Sequence, residues 1–272
     1  MEYKKINDFN LSPDSIVKLT KTNNVTQILA LAKKNIDCPI VKLNNDEYCY
    51  KSTGEVFQCK HIENRGQNLN TIRYSIANLR NLINNNFSGG SNELWVTLTF
   101  GDNKIYNPKE LYSIFKCFIQ RLRYHFKDNS LDYIYVPEPH EKGDWHIHLL
   151  LKSNFPLYIE NSLLREIWGQ GFVKVNRLKD IDNIGAYVSA YLINIKEGDF
   201  TKKGARLYLY PPGHQLYRYS RGIQKPISTY MTYGHALQLL TNRDKLTYKQ
   251  TLKIKENDFS NIIHTEFYNS KR

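Results

Sequence analysis

Apolar positions in residues 1–66 follow no sustained period, and the segment is polar apart from two short stretches, 47–50 and 56–60. These flank Gly54 and predict a two-stranded element around a turn. Regular spacing begins at residues 68–87, where Leu69, Ile72, Ile76, Leu79, Leu82 and Ile83 recur close to the period of a helix. The pattern breaks at Phe87-Ser88-Gly89-Gly90-Ser91, and a domain boundary is expected at Gly89-Gly90.

Beyond that point the alternation of periods becomes clear. Residues 94–100 predict a buried strand, 108–127 a long amphipathic helix opened by a proline, and 133–137 a second strand. A turn and a return strand, 145–151, follow, and then a short helix (162–168), a strand (171–176) and a helix (181–195). The order β-α-β-β-α-β-α is that of a ferredoxin-like split βαβ unit with an additional helix on its antiparallel sheet, so the expected fold class is α+β. The expected division is an N-terminal extension (1–90), a core domain (91–225) and a C-terminal extension (226–272). An edge strand is expected at 204–210, and residues 226–272 read as partly helical.

Composition changes this picture in one respect. The formal charge of +12 favours polyanionic partners, and the abundance of aromatics, including 20 tyrosines, interleaved with Lys and Arg suits stacking on unpaired bases. The longest apolar runs are far shorter than a membrane span and no secretory leader pattern is visible at the N-terminus, so a cytoplasmic location and no membrane partner are expected. Cys38, Cys49, Cys59 and Cys117 show no CxxC spacing and read as free buried thiols, with zinc at Cys49, Cys59 and His61 as the alternative.

The candidate chemistry begins at Trp145-His146-Ile147-His148-Leu149. In a strand, side chains alternate, so His146 and His148 share one face with Cβ atoms about 6.5–7 Å apart, close enough to reach one ion. Two imidazoles on a sheet face are costly to bury unless something binds them. A third ligand is expected from the preceding strand, and Glu138 is the choice, with His140 and Glu141 of the turn as competitors. Two histidines and a carboxylate suit a labile divalent ion, Mn²⁺ or Mg²⁺, able to act as a Lewis acid on a phosphate. In the last helix of the core, Tyr187 and Tyr191 stand at i and i+4 on one face. Such a pair is ordinarily packing, and a phenol with a pKa near 10 attacks only when a neighbouring cation or base assists it.

Three segments together, Trp95-Val96-Thr97-Leu98-Thr99-Phe100, His146-Ile147-His148 and Tyr187 to Tyr191, resemble in kind and order the motifs of the HUH endonucleases, specifically rolling-circle replication initiators. Tyr217-Arg218-Tyr219-Ser220-Arg221-Gly222-Ile223-Gln224-Lys225-Pro226 looks like a segment that follows the nuclease core in plasmid initiators, so the resemblance covers about residues 93–225. It departs from many two-tyrosine members at Ala190, where they carry Lys before the second tyrosine. The resemblance implies metal-dependent nicking and rejoining of single-stranded DNA at a replication origin. Tyr187 and Tyr191 are then nucleophiles that form a covalent 5′-phosphotyrosine. No nucleotide-binding P-loop is present in the sequence, so unwinding is assigned to a separate helicase. Arg121, Arg123, Lys127, Arg218, Arg221 and Lys225 are candidates for contacts to the DNA backbone. The rivals are a transposase of the same chemistry and a non-catalytic module that binds single-stranded nucleic acid.

Overall fold

The computed structural model describes residues 2–7, 9–33, 39–59, 61–128, 130–178, 183–192, 203–256 and 259–272. The chain forms two compact units, one of residues 1–21, 25–63 and 227–272, the other of residues 22–24 and 64–226.

In the first unit the N-terminal strands β1 (Glu2–Ile6), β2 (Ile16–Lys21) and β3 (Val25–Leu31) precede a small antiparallel sheet of β4 (Ile40–Lys42), β5 (Glu47–Tyr50) and β6 (Val56–Gln58). The expected two-stranded element around Gly54 is therefore the β5–β6 hairpin, with β4 added on one side. His61 pairs with Asp46 at 2.8 Å, while Cys49 and Cys59 are half-buried and Cys117 is exposed rather than buried. Cys38 lies outside the described residues.

The second unit contains α1 (Leu69–Asn86), β7 (Glu93–Leu98), α2 (Pro108–His125), β8 (Leu131–Pro139), β9 (Trp145–Ser153), α3 (Asn161–Trp168), β10 (Val173–Arg177), α4 (Ile184–Leu192) and β11 (Arg218–Tyr219). The sheet order is β10-β7-β9-β8-β11 with every neighbour antiparallel, the arrangement expected of a ferredoxin-like α+β core.

One face of this sheet packs on α2 and α3. Leu111, Phe115, Phe118, Ile119 and Leu122 form the apolar stripe of α2, at helical spacing, and meet Val96, Leu98, Ile147 and Leu149. Asn107 caps α2 by accepting from the Lys109 amide at 2.9 Å, with Pro108 in the first turn, and Gly169 at φ 65° ends α3. The other face carries Trp95, Ile134, Val136 and Leu150, which are covered by Leu79, Leu82 and Ile83 of α1 and by Ile184 and Val188 of α4.

That second layer corrects the boundary expected at residue 90. The sheet is apolar on both faces, so α1 is needed to cover one of them and belongs with the core. The turn at Gly89-Gly90 is no linker either. The buried Glu93 carboxylate accepts from the amides of Ser88 at 2.9 Å and Gly89 at 2.7 Å, fixing the turn to the start of β7.

Residues 203–209 form a 3-10 helix instead of an edge strand. The C-terminal segment returns to the first unit as β12 (Ile227–Thr232), the short helix α5 (Tyr233–Gln238) and a long hairpin of β13 (Lys245–Glu256) and β14 (Phe259–Asn269). It is thus mostly strand, not partly helical. Its pairing explains why: the six-stranded sheet runs β1-β13-β14-β3-β2-β12, interleaving both chain ends, and its ladder has a bulge at Leu246/Tyr248 that interrupts the alternation.

Candidate metal centre and nucleophile

Glu138 sits on β8 directly opposite His146 on β9, while Val136 is opposite His148. The antiparallel register therefore puts one carboxylate and two imidazoles on the same sheet face, the face covered elsewhere by α1 and α4. A tight turn closes the hairpin: Gly143 adopts φ 85° and the His140 amide donates to the Asp144 carbonyl at 2.7 Å. Trp145 anchors its base, buried and donating its indole N–H to the Tyr106 carbonyl at 3.0 Å.

All three side chains are buried, and their donor atoms converge. His148 Nε2 lies 2.9 Å from Glu138 Oε2, His146 Nε2 lies 3.3 Å from the same oxygen, and the two Nε2 atoms are 3.0 Å apart. Three such contacts cannot all be hydrogen bonds. If both imidazoles donate from Nε2 to the carboxylate, the two N–H groups face each other; if His146 donates to His148, the unprotonated His148 nitrogen faces the carboxylate lone pairs. A cation at the centre satisfies all three at once, so the donor set fits a divalent metal ion. His146 Nδ1, buried with no hydrogen-bond partner, leaves that ring oriented by its surroundings alone.

The electrostatics agree with ligand character. Burial alone would raise the Glu138 pKa, but hydrogen bonds from His146 and His148 outweigh it and hold the carboxyl well below its ordinary value, ionised. Burial lowers the pKa of His146, against the pull of Glu138, favouring the neutral imidazole that binds metal. Around the site, Thr97 Oγ1 lies 3.5 Å from His148 Nδ1. The ring of His140 stacks on His146 at 4.2 Å and 10°, with its Nδ1 2.7 Å from Asp144 Oδ2. Of the two competitors named for the third ligand place, His140 thus flanks the cluster and Glu141 is exposed in the turn. Sequence reasoning missed Arg206, whose Nη1 donates to the Pro139 carbonyl at 2.9 Å and lies 3.8 Å from Glu138 Oε1; nothing in its local pattern signals this.

Tyr187 lies on α4, partly exposed, with its ring edge-on to Trp95 at 5.6 Å and 88°. Trp95 in turn meets the His148 ring at 6.3 Å, so two ring contacts connect the phenol to the metal-binding cluster. The helix is held there by α1. Asn84 Oδ1 accepts from the Gly185 amide at 2.6 Å, Asn84 Nδ2 donates to Asn183 at 2.9 Å, and Gly185 approaches the Arg80 carbonyl so closely that a Cβ would collide with it. Tyr191 follows one turn later on the same helix, but its side chain lies outside the described residues.

The candidate backbone-contacting cations separate into groups. Arg121 is committed to the C-terminus of α3, donating to the carbonyls of Ile167 at 2.9 Å and Trp168 at 3.0 Å. Arg123, Lys127 and Arg221 line one groove with Tyr133 and Tyr219, at the end of β8 away from Glu138. Arg218 lies over the Tyr112 ring at 4.2 Å, on the α2 side, and Lys225 is exposed.

This combination of an antiparallel ferredoxin-like sheet, a His-x-His pair with a facing carboxylate and a tyrosine-bearing helix is that of an HUH-type nuclease core. Residues 93–196 match the family model of the ORF2-type replication-associated proteins, of the rolling-circle Rep kind, so this part of the chain is a Rep-family domain. No curated protein and no solved structure matches the chain significantly. Among the described residues, no helix is long and apolar enough to cross a membrane.

Proposed function

We propose that this chain initiates rolling-circle replication by nicking single-stranded DNA at an origin and rejoining it through a covalent 5′-phosphotyrosine. The observation that carries this reading is the convergence of Glu138, His146 and His148 beside Tyr187 in a Rep-family domain. A divalent ion held there, Mn²⁺ or Mg²⁺, supplies Lewis-acid polarisation of a phosphate oxygen.

The chain's own residues do the rest. Tyr187 presents its hydroxyl oxygen to the scissile phosphorus, Trp95 fixes the ring edge-on, and α1 holds the helix that bears it. Attack forms the phosphorus–tyrosine oxygen bond and breaks the bond to the 3′ oxygen. That oxygen leaves with the electron pair and becomes a 3′-OH on taking up a proton, and this hydroxyl primes synthesis. The phosphotyrosine linkage retains the energy of the original diester, so a later attack by a DNA hydroxyl rejoins the strand without ATP. Tyr191, one helical turn on, is assigned the second cleavage, and a separate helicase supplies the single strand.

The test is incubation with Mn²⁺ and labelled single-stranded oligonucleotides, including origin candidates from the encoding element, followed by a denaturing gel. A protein-linked band that needs the metal and drops at least about 100-fold in Tyr187→Phe is expected. Binding without any adduct, on every substrate including the cognate origin, would instead make the domain a non-catalytic binding module.

A further inference from the structure

The segment 217–226 is not used by the nicking chemistry, yet the fold places it beside the metal-binding cluster. β11 is the edge strand of the core sheet, paired only with β8, and Tyr219 lies opposite Ile134 while Arg218 lies opposite Tyr135. Strand alternation then puts Tyr217 and Tyr219 on the face of Ile134, Val136 and Glu138, and Arg218 on the other. The two phenol rings are near-parallel, 6.3 Å apart at 23°. Continuing the register sets Tyr217 opposite Val136, roughly 8 Å in Cα position from Glu138 by strand spacing and rise.

The segment is held rigidly. Ser220 donates its hydroxyl to Asp132 at 2.6 Å and accepts from the Tyr133 amide at 3.0 Å, and a Cβ on Gly222 would collide with the Asp132 carboxylate. Tyr217 is half-buried, but Tyr219 is 38% exposed and Tyr74, on α1, is 70% exposed. Both phenols raise the pKa of Tyr217, after the larger effect of burial, which places all three near one another. Past Tyr219, the groove lined by Arg123, Lys127 and Arg221 continues the edge. Arg123 is already oriented there, donating to the Leu131 carbonyl at 3.1 Å.

We infer that Tyr219, supported by Tyr217 and flanked by Tyr74, is a stacking platform for unpaired bases next to the scissile phosphate, with Arg221 and its neighbours holding the backbone beyond. Planar faces followed by cations along one sheet edge match a single strand, whose bases stack on rings without sequence preference and whose phosphates need charge. A duplex would hide its base faces and gain only from the cations. This rests on the proposed function, since the strand it holds is the one to be cut.

The experiment measures binding of the full chain to a labelled 15-nucleotide oligothymidine in EDTA, where nicking does not contribute, over a series of salt concentrations. Tyr219→Leu, which keeps apolar bulk without a planar face, is expected to weaken binding by about 10-fold with the salt slope unchanged, while Tyr219→Phe binds like the parent. Arg221→Ala is expected to flatten the slope of log affinity against log salt by about 0.7. Quenching of a 2-aminopurine base in the oligonucleotide is expected with the parent and Tyr219→Phe and lost with Tyr219→Leu. Unchanged affinity and quenching in a folded Tyr219→Leu variant overturn the inference. If that happens while the Mn²⁺-dependent adduct still forms, the platform fails and nicking stands; loss of binding in Tyr219→Leu with no adduct on any substrate leaves the platform and removes the nicking.

Discussion

Glu138, His146 and His148 bring three donor atoms within 3.3 Å of one another in a buried site, which no arrangement of imidazole protons satisfies. Mn²⁺ should therefore stabilise the core measurably: at 100 times its dissociation constant, about 2.7 kcal/mol, a rise in melting temperature of roughly 5–10 °C for a domain of this size. His148→Ala should abolish that rise, and calorimetric titration should show at least about 100-fold weaker Mn²⁺ binding. A melting temperature insensitive to Mn²⁺ in the parent protein would remove the case for a metal centre. At this scale the sequence was informative about residue type and face, because period-2 alternation fixes which side of a strand His146 and His148 occupy. It left Glu138, His140 and Glu141 open, because only the pairing register decides which of them meets the histidines.

Among the elements, α1 and α4 set where the phenol stands. Gly185 carries no Cβ because the helices touch there, with Asn84 Oδ1 only 2.7 Å from where one would be. Gly185→Ala should displace α4, destabilise the core by about 1–3 kcal/mol in a urea titration, and reduce adduct formation more than it reduces Mn²⁺ binding. Equal adduct yield in that variant would show that helix placement does not control the chemistry. The periodicity of residues 68–87 announced α1 as an amphipathic helix, yet gave no sign of what its apolar side covers. That depends on a second apolar face of a sheet formed by residues 93–219. Strand 204–210 failed for a related reason: its apolar positions, Leu207 and Tyr210, bury in the core through a 3-10 turn, with the Tyr210 hydroxyl bonded to the Pro137 carbonyl at 2.8 Å.

On the scale of the whole molecule, the two chain ends meet in the six-stranded sheet, where Glu266 is buried with His264, Tyr268, Tyr233 and Lys249 around it. Burial alone would raise its pKa, but hydrogen bonds from His264, Tyr268 and Lys249 outweigh this and hold the carboxyl below its ordinary value of 4.5. A depressed folded-state pKa means that the carboxylate's contribution to stability is fully present above about pH 4.5 and is lost as pH falls through the lower folded value. Stability measured by urea unfolding between pH 7 and pH 3 should fall in the acid range for the parent. Glu266→Gln should be less stable at pH 7 and show a shallower acid loss; parallel profiles for the two would show that Glu266 does not contribute to the pH dependence.

What the sequence determined is local and periodic: the β-α-β-β-α-β-α order, the two histidines on one face, the two tyrosines one turn apart, and a basic, aromatic-rich surface. Each follows from side-chain alternation or helical spacing within about twenty residues, or from composition. The tertiary structure alone decided which carboxylate faces the histidines, which arginine is spent on a helix end, and that residues 227–272 return to pair with the N-terminal strands. Those depend on contacts between residues far apart in the chain. On the buried face of the β13–β14 sheet, polar Thr251, His264 and Glu266 stand where a hydrophobic pattern would have marked burial, because they satisfy one another there.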